Sequence, residues 1–365
     1  MREFNITQEC IRRFSLNLSG LEIFTEAASG YFSWTAIIAL AARAKRVYAI
    51  AKDSSYASKN EAAMAVTNLA EHYGLSERLK IVEDHKDIRN ADIITNLGFV
   101  RPISKEIVAR LKPTAVIPLM WETWEFRERD LDLPACFKHE IPVLGTNEEH
   151  PDLQIFRYIG FIAQKLIFEA GLEVFRTKIL VVGSGQFARS TMDNLLAGGA
   201  EAKLVSLDHG MMRRYQNNWL GETLKTDAAE AFISTADAIL LVEHQSEELI
   251  IGHGGHITVE RLLSLNGDIK IIHITGFVDV SNINRNGMSL FPAQPATAAR
   301  TMSVTTAYVG PRPLIELHTA GLKVGEDLAR ARTRCTSHRE AVALALQNPL
   351  CQNFSVAQLS KYCRS

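Results

Sequence analysis

One stretch near the middle of the chain combines a strand, a glycine-containing turn, a helix and a second strand. Residues 178–182 form an apolar, β-branched run typical of a buried strand, and residues 202–207 form another. Between these runs, residues 189–196 have the spacing of an amphipathic helix. Strands that alternate with helices in this way indicate a parallel sheet covered by helices. The stretch therefore predicts an α/β fold.

The turn in this stretch has the spacing Gly-x-Gly-x-x-Ala, in which each small residue has a mechanical use. Gly183 permits a tight turn, Gly185 lets the backbone approach a pyrophosphate, and Ala188 allows the helix to pack closely on the strand. The start of the helix offers free N–H groups and the positive end of its dipole to phosphates. Asp208 ends the second strand, where a carboxylate binds ribose hydroxyls and repels a 2′-phosphate.

The turn therefore predicts a site for an adenine dinucleotide, with NAD(H) favoured over NADP(H). An ordinary strand-to-helix turn with a solvated aspartate is the alternative interpretation. The residues expected to contact the cofactor here are Gly183, Ser184, Gly185, Gln186, Phe187, Ala188 and Asp208.

The rest of the chain repeats the same alternation on both sides of this unit. A chain of 365 residues is too long for one ordinary core and fits two α/β domains. We expect two Rossmann-like, doubly wound parallel-sheet domains with a cleft between them: a substrate-binding lobe of residues 1–152, completed by 320–365, and an NAD-binding domain of residues 153–319. Further strands are predicted at 21–25, 46–50, 79–82, 92–96, 114–118, 142–145, 238–242, 270–274, 288–290 and 314–317, and further helices at 33–43, 59–73, 104–111, 152–170 and 321–332.

Composition argues against several classes of partner. Lys and Arg total 40 against 41 for Asp and Glu, so no positive excess is present to attract nucleic acid or an anionic membrane. Neither a secretory signal nor an apolar run of membrane length is evident, which favours a cytoplasmic protein with a small-molecule substrate. The five cysteines include no Cys-x-x-Cys pair, so we expect reduced thiols and no metal site.

Short stretches scattered over residues 90–330 resemble the D-2-hydroxyacid dehydrogenases. Residues 91–96 followed by 102–104 are similar to that family's loop for the substrate carboxylate. Residues 291–295 and 318–321 are similar to its two late catalytic motifs. The resemblance implies NAD as cofactor, a homodimer, and hydride transfer to or from an oxygen-bearing carbon of a small polar hydroxy or oxo metabolite.

The resemblance also assigns residues to the chemistry. His318 matches the family's general acid/base, and Gln294 stands where the family has a carboxylate beside that histidine. An amide orients an imidazole without stabilising its charged form, so the imidazole would be less readily protonated near neutral pH. Asn96 and Arg101 are the candidate substrate-binding residues.

The family's substrate-binding arginine has no counterpart in residues 272–277, so Arg101 or Arg300 would have to replace it. Candidate cofactor contacts near the carboxyl ends of later strands are His244, His273, Thr275 and Gly276.

The first lobe supports a second interpretation. Residues 26–30, a following helix, and Asp53 after the next strand resemble class I S-adenosylmethionine-dependent methyltransferases, although the turn has one glycine, Gly30. The surface of residues 26–31 and 53–56 could hold a substrate, because ligands in such sheets lie at the carboxyl ends of strands. The alternatives to a dehydrogenase are therefore a methyltransferase or other adenosyl-ligand enzyme, and a non-catalytic nucleotide-sensing module.

Overall fold

The computed structural model describes residues 1–362, and its contacts divide the chain into two compact units. The first unit comprises residues 1–154 and the chain from Pro311 onward, and the second comprises residues 155–310. The boundaries expected from the sequence lie at 152 and 319. The larger difference arises because residues 311–319 begin a long helix of the first unit.

The helices and strands are as follows. The strands are β1 (Glu22–Ala27), β2 (Arg46–Ala51), β3 (Leu79–Val82), β4 (Ile93–Ile94), β5 (Ile117–Pro118), β6 (Val143–Thr146), β7 (Lys178–Gly183), β8 (Glu201–Val205), β9 (Trp219–Gly221), β10 (Ala238–Val242), β11 (Leu249–Ile251), β12 (Lys270–Thr275), β13 (Phe277–Val278), β14 (Leu290–Phe291) and β15 (Cys351–Gln352). The α-helices are α1 (Arg2–Arg13), α2 (Trp34–Ala41), α3 (Lys59–His72), α4 (Lys105–Val108), α5 (Leu133–Lys138), α6 (Arg157–Glu169), α7 (Gly185–Ala197), α8 (His209–Arg214), α9 (Asp227–Ile233), α10 (Val259–Leu265), α11 (Val280–Arg285), α12 (Pro311–Arg334), α13 (His338–Ala345) and α14 (Val356–Tyr362).

In the first unit, the strands follow one another across the sheet in the order β3-β2-β1-β4-β5-β6-β15. The first six are parallel, with β4 joined to β5 through the bridge between Ile93 and Val116, and β15 is antiparallel to β6. The chain order reverses between β1 and β4. That reversal is the topological switch point of a doubly wound sheet, beside which ligands bind.

The second unit has the same arrangement. Its six parallel strands follow the order β14-β12-β10-β7-β8-β9, so that β7 and β10 flank the switch point. A separate pair, β11 with β13, lies beside this sheet. The predicted fold class of two Rossmann-like parallel sheets is therefore confirmed.

Burial explains why these runs form strands. All five residues of β10 are buried, as are all residues of β7 after Lys178 and all of β1 after Glu22. Strands buried on both faces read as continuous apolar runs, which is the pattern of parallel sheets covered by helices. The predicted strands agree with the observed ones mainly where such runs are long.

One predicted strand, at 314–317, is wrong, because these residues lie inside α12. Leu314, Ile315, His318, Thr319 and Leu322 are all buried, which is the three-and-four spacing of a helix face. The prolines at 311 and 313 fall in the first turn, where the missing N–H groups have no intrahelical partner in any case. The helix predicted at 321–332 therefore begins ten residues earlier.

The helix predicted from residue 152 begins instead at Arg157. Gln154 has a φ of 48°, in the left-handed region, and a right-handed helix cannot pass through that conformation. Among residues 1–362, none of the helices combines the length and apolarity that a membrane crossing requires.

Candidate functional site

The glycine turn connects β7 to α7 at the switch point of the second unit. A Cβ on Gly183 would lie 2.6 Å from backbone atoms of Val242, so glycine is needed there for the close approach of β7 to β10. The left-handed backbone belongs to Gly185, with a φ of 59°, and a Cβ there would lie 2.6 Å from the Nε2 of Gln245. The turn therefore needs both glycines, with the conformational role at Gly185 and the close approach at Gly183.

The start of α7 carries the backbone N–H groups that the sequence assigned to phosphates. Its N-cap residue, Ser184, makes no side-chain capping bond, and the N–H of Gly185 donates to Oδ2 of Asp208 over 3.3 Å. Ala188 is fully buried and Phe187 is nearly so. The structure thus brings the predicted turn and the predicted ribose-binding carboxylate together.

The sequence predicted that Asp208 ends a strand, but β8 stops at Val205, three residues earlier. Its carboxylate instead caps α8, with Oδ1 accepting hydrogen bonds from the N–H groups of Gly210 (2.7 Å) and Met211 (3.4 Å). The two carboxylate oxygens therefore hold α8 and the glycine turn in one arrangement.

A crevice of about 480 Å³ opens beside the turn. This volume is within the range of small-molecule sites. Two of its lining residues, Asp208 and Glu243, are acidic. Their charges disfavour any phosphate group in the crevice in addition to those bound at the start of α7. The lining residues are Ser184, Leu207, Asp208, Glu243, Gln245 and Ser246.

The loop after β10 covers the turn. Glu243 shapes this loop, since its Oε1 accepts hydrogen bonds from the N–H groups of Gln245 (2.7 Å) and Ser246 (3.0 Å). His244 stacks on Phe187 with ring centroids 4.2 Å apart, and burial lowers the pKa of His244 to about 4. A neutral imidazole and the side chain of Gln245 therefore lie against Gly185.

Sequence reasoning missed Glu243 and Gln245. The available signal was their position: both follow directly after a fully apolar strand, at the end of a sheet where ligands bind.

His273 and Thr275 lie at the end of β12, as predicted, and both are fully buried. The imidazole Nε2 of His273 lies 2.8 Å from the carbonyl oxygen of Gly276, which only accepts, so Nε2 carries the proton. Nδ1 then accepts from the hydroxyl of Ser303 over 2.6 Å, and burial lowers the pKa of His273. The Thr275 hydroxyl donates to the carbonyl oxygen of Glu243 over 3.3 Å. These contacts make His273 and Thr275 part of the scaffold of this edge.

His318 lies within α12 of the first unit and is 3% exposed. Its Nδ1 is 2.6 Å from the hydroxyl oxygen of Thr35, which in turn donates to the carbonyl oxygen of Phe32 over 3.2 Å. The hydroxyl proton is thus committed to Phe32, so Nδ1 donates to Thr35 and Nε2 is the basic nitrogen. Burial lowers the pKa of His318 to about 4, so that the imidazole is neutral near pH 7.

Gln294 and Arg300 lie in the loop after β14 in the second unit, and both are exposed. Arg300 forms an ion pair with Glu247 at 3.7 Å and has a φ of 56°. The amide at Gln294 predicted a lowered pKa for His318. The pKa is lowered in the structure, but the cause is the burial of His318.

The remaining predicted residues lie at the carboxyl edge of the first unit's sheet. Asn96 is buried, and its Oδ1 accepts from the N–H of Met120 over 2.9 Å, which ties the end of β4 to the end of β5. Arg101 forms an ion pair with Asp130 at 2.6 Å, and its guanidinium lies over the ring of Trp121, 5.3 Å from the centroid.

Glu26 lies near the end of β1 and is 4% exposed. Its Oε2 accepts from the N–H of Phe99 over 3.0 Å. Burial raises the pKa of Glu26 from 4.5 to about 7, against the opposing effects of that hydrogen bond and of Arg101. A buried carboxyl group that titrates near neutral pH is typical of functional sites.

Comparison with known proteins gives matches of structure only. No family model and no curated protein matches the sequence. One of the subunits of dipicolinate synthase from Bacillus halodurans matches with a TM-score of 0.51 and 10% identity, over 87% of this chain and 99% of that chain.

Two dehydrogenases match with lower TM-scores. The 2-hydroxyacid dehydrogenase from Ketogulonicigenium vulgare has a TM-score of 0.44 and 15% identity, over 87% of this chain and 96% of that chain. The NAD-dependent formate dehydrogenase from Staphylococcus aureus, solved in complex with NAD, has a TM-score of 0.45 and 11% identity, over 85% and 95%. Solved dehydrogenases of the group that the sequence resembles are thus among the matches, and at these identities the likeness is one of fold.

Proposed function

We propose that the protein is an NAD-dependent oxidoreductase acting on a small polar hydroxy or oxo metabolite. The glycine turn carries the proposal: Gly185 is left-handed, α7 begins there, Asp208 faces its N–H group, and a crevice of about 480 Å³ lies alongside. These features occur together at the switch point, where doubly wound sheets bind dinucleotides.

The residues of the turn fit the cofactor. With no side chain on Gly185, the side chains of Gln245 and His244 lie directly against the backbone of the turn, 2.6 and 3.0 Å from the position of a Cβ. The backbone N–H groups of Gly185 and Gln186 would hold the pyrophosphate, and the carboxylate of Asp208 would accept hydrogen bonds from the ribose hydroxyls. The acidic lining favours NAD over NADP. When bound, the nicotinamide would accept or supply the hydride.

The chain's own acid/base group in this proposal is His318. Thr35 fixes the tautomer with the proton on Nδ1, which leaves Nε2 to take the substrate's hydroxyl proton. Gln294 is proposed to orient the imidazole, and Asn96 and Arg101 to hold the substrate.

Calorimetric titration of nucleotide-free protein with NAD⁺, NADP⁺ and S-adenosylmethionine tests the proposal. We expect NAD⁺ to bind at least tenfold more tightly than the other two. Gly185→Val should abolish that binding, because a β-branched side chain is unfavourable at a positive φ and would fill the side of the turn that the pyrophosphate approaches.

Gly254→Val is the matched control. Gly254 also has a positive φ, of 83°, but a Cβ there meets no described atom within 4 Å. Preferential binding of S-adenosylmethionine would favour methyl transfer. Tight NAD⁺ binding without turnover on a broad panel of hydroxy acids would favour a nucleotide sensor, and no binding of NAD⁺ at millimolar concentration would overturn the proposal.

We further propose that the protein is a cytoplasmic homodimer that uses the second unit as its interface. Phe161 and Phe168 lie seven residues apart on α6 and are 48% and 60% exposed, and Phe175 beyond the helix is 61% exposed. Aromatic side chains two turns apart form one stripe, a common feature of interfaces. Light scattering after gel filtration should give a dimer mass for the wild-type protein and a monomer mass for Phe168→Glu.

A further inference from the structure

The carboxyl edge of the first unit's sheet carries polar side chains from successive strands. Glu26 lies near the end of β1, Lys52 follows β2, His85 follows β3, Arg101 lies in the loop after β4, and Trp121 follows β5. Because β1 and β4 flank the switch point, Glu26 and Arg101 border the crevice in which a doubly wound sheet binds its ligand. This unit therefore has a candidate ligand site of its own, apart from the glycine turn.

The carboxyl group of Glu26 and the guanidinium of Arg101 both border the space above Gly98. A Cβ placed on Gly98 would lie 3.3 Å from Oε2 of Glu26 and 3.8 Å from Nη2 of Arg101. Gly98 has no positive φ, so a Cβ there would crowd Oε2 of Glu26 without straining the backbone. One small ligand above Gly98 can contact the carboxyl group and the guanidinium together.

Arg101 is held in place on its other side. Its Nη1 donates to Asp130, its guanidinium lies over Trp121, and within residues 1–362 no hydrogen-bond partner is found for Nη2. An arginine fixed in this way loses little side-chain entropy when it binds an anion, so its free end is preorganised.

Glu26 supplies the other charge. The charged groups around it are Arg101, which attracts its carboxylate, and Lys52, Asp53 and His85 at the ends of the neighbouring strands. Lys52 donates to the carbonyl oxygen of Arg101, and His85 binds the carbonyl oxygen of Val100 through Nε2. A carboxylate that is almost completely buried gains most from a cationic partner that enters the crevice.

We propose that this crevice selects a small zwitterion, an α-amino carboxylate, whose carboxylate binds Nη2 of Arg101 and whose ammonium binds the carboxylate of Glu26. A simple anion would face repulsion from Glu26, and a simple cation would face repulsion from Arg101. A molecule with an ammonium and a carboxylate group on the same carbon complements both side chains.

The inference rests on the proposed function only where it identifies this ligand with the substrate of the oxidoreductase. The substrate would then carry an α-amino carboxylate next to the hydroxyl or oxo carbon that reacts. Binding itself involves residues of the first unit alone. The dinucleotide site and this ligand site can therefore fail independently.

The test uses alanine, lactate, pyruvate and alaninamide as matched probes in calorimetric titrations of the full-length protein, with and without NAD⁺. At about pH 8, where Glu26 is ionised, we expect alanine to bind at least tenfold more tightly than the other three. Its affinity should fall as the pH drops below about 7, because protonation removes the charge that holds the ammonium.

Three variants locate the site. Glu26→Gln should reduce alanine affinity at least tenfold and remove the pH dependence, and Gly98→Ala should block binding by filling the space. Arg127→Gln is the matched control, because Arg127 binds the same Asp130 oxygen as Arg101 but is exposed and lies outside the space above Gly98. It should leave alanine affinity within about twofold.

The outcomes separate the two proposals. Lactate or pyruvate binding as tightly as alanine, or the absence of any binding by alanine, would overturn the zwitterion site and leave the NAD-dependent reaction standing. Alanine binding without NAD⁺ binding would do the reverse. If Glu26→Gln fails to fold, Gly98→Ala and the comparison of alanine with lactate in the wild-type protein still decide.

Discussion

Replacing Glu26 by glutamine should stabilise the protein, and the gain in the free energy of unfolding should increase as the pH rises. Burial raises the pKa of Glu26 from 4.5 to about 7 in the folded chain. Between these values the folded state holds a proton that the unfolded state has released, so the free energy of unfolding falls with increasing pH. Below pH 4.5 both states are protonated and no cost remains, whereas above about pH 7 the full cost is present.

The cost follows from the size of the shift, since a pKa change from 4.5 to about 7 corresponds to about 3 kcal/mol. Glutamine has nearly the same shape and its carbonyl oxygen can still accept from the N–H of Phe99, so Glu26→Gln removes the charge and keeps the contact. For a domain of roughly 200 residues, this free energy corresponds to a rise in Tm of about 6–12 °C at pH 8.

The assay is differential scanning calorimetry of both proteins from about pH 4.5 to 8. The difference in Tm should be near zero at the acid end and grow through pH 6 and 7. Burial also raises the pKa values of Glu125 and Glu148, but these groups are present in both proteins, so their effects cancel in the difference. A constant difference across the range, or a variant that is less stable at pH 8, would refute the reasoning.

Four further substitutions address the cofactor site, the proposed acid/base histidine and the scaffold. Asp208→Asn should lower NAD⁺ affinity about tenfold and narrow the preference over NADP⁺, measured by calorimetry, because it weakens the ribose contact and the repulsion of a 2′-phosphate. His318→Asn should abolish turnover and leave NAD⁺ affinity unchanged. Retained activity in His318→Asn would show that His318 is not the acid/base group. Thr35→Val removes the acceptor for Nδ1 of His318 and should lower kcat more than it changes KM. His273→Phe should cost about 2–3 kcal/mol in urea unfolding, because it leaves the Ser303 hydroxyl and a buried carbonyl group without their partner.

The sequence predicted those parts of the fold that depend on local patterns. The apolar runs of β7 and β10 are buried throughout, so their composition alone marks them as central strands. The turn at Gly183 and Gly185 was found because steric limits on backbone approach leave few residue types possible there.

The parts that were missed depend on contacts between distant positions. Residues 314–317 have local strand propensity, but Leu314, Ile315 and Glu316 are buried within a 24-residue helix, and tertiary packing overrides propensity. The partners of Arg101 are 20 and 29 positions away in the sequence, at Trp121 and Asp130. Glu26 in β1 lies near Gly98 and Arg101 in the loop after β4, about 70 positions later in the sequence. Spacing within one segment contains no information about such pairs.

The two units show how one strand order supports two kinds of recognition. In the second unit, the central strand ends in Gly183, and the chain turns at Gly185 so that backbone N–H groups point outward, which suits a phosphate. In the first unit, the central strand carries Glu26 at the corresponding edge, and Arg101 from the loop after β4 faces it across Gly98.

Backbone donors bind anions of many shapes, whereas two opposite side-chain charges at fixed positions select a charge pattern. If the proposed zwitterion site is correct, the first unit's edge selects the metabolite, and substitutions at Glu26 or Gly98 should weaken metabolite binding without changing the choice of cofactor.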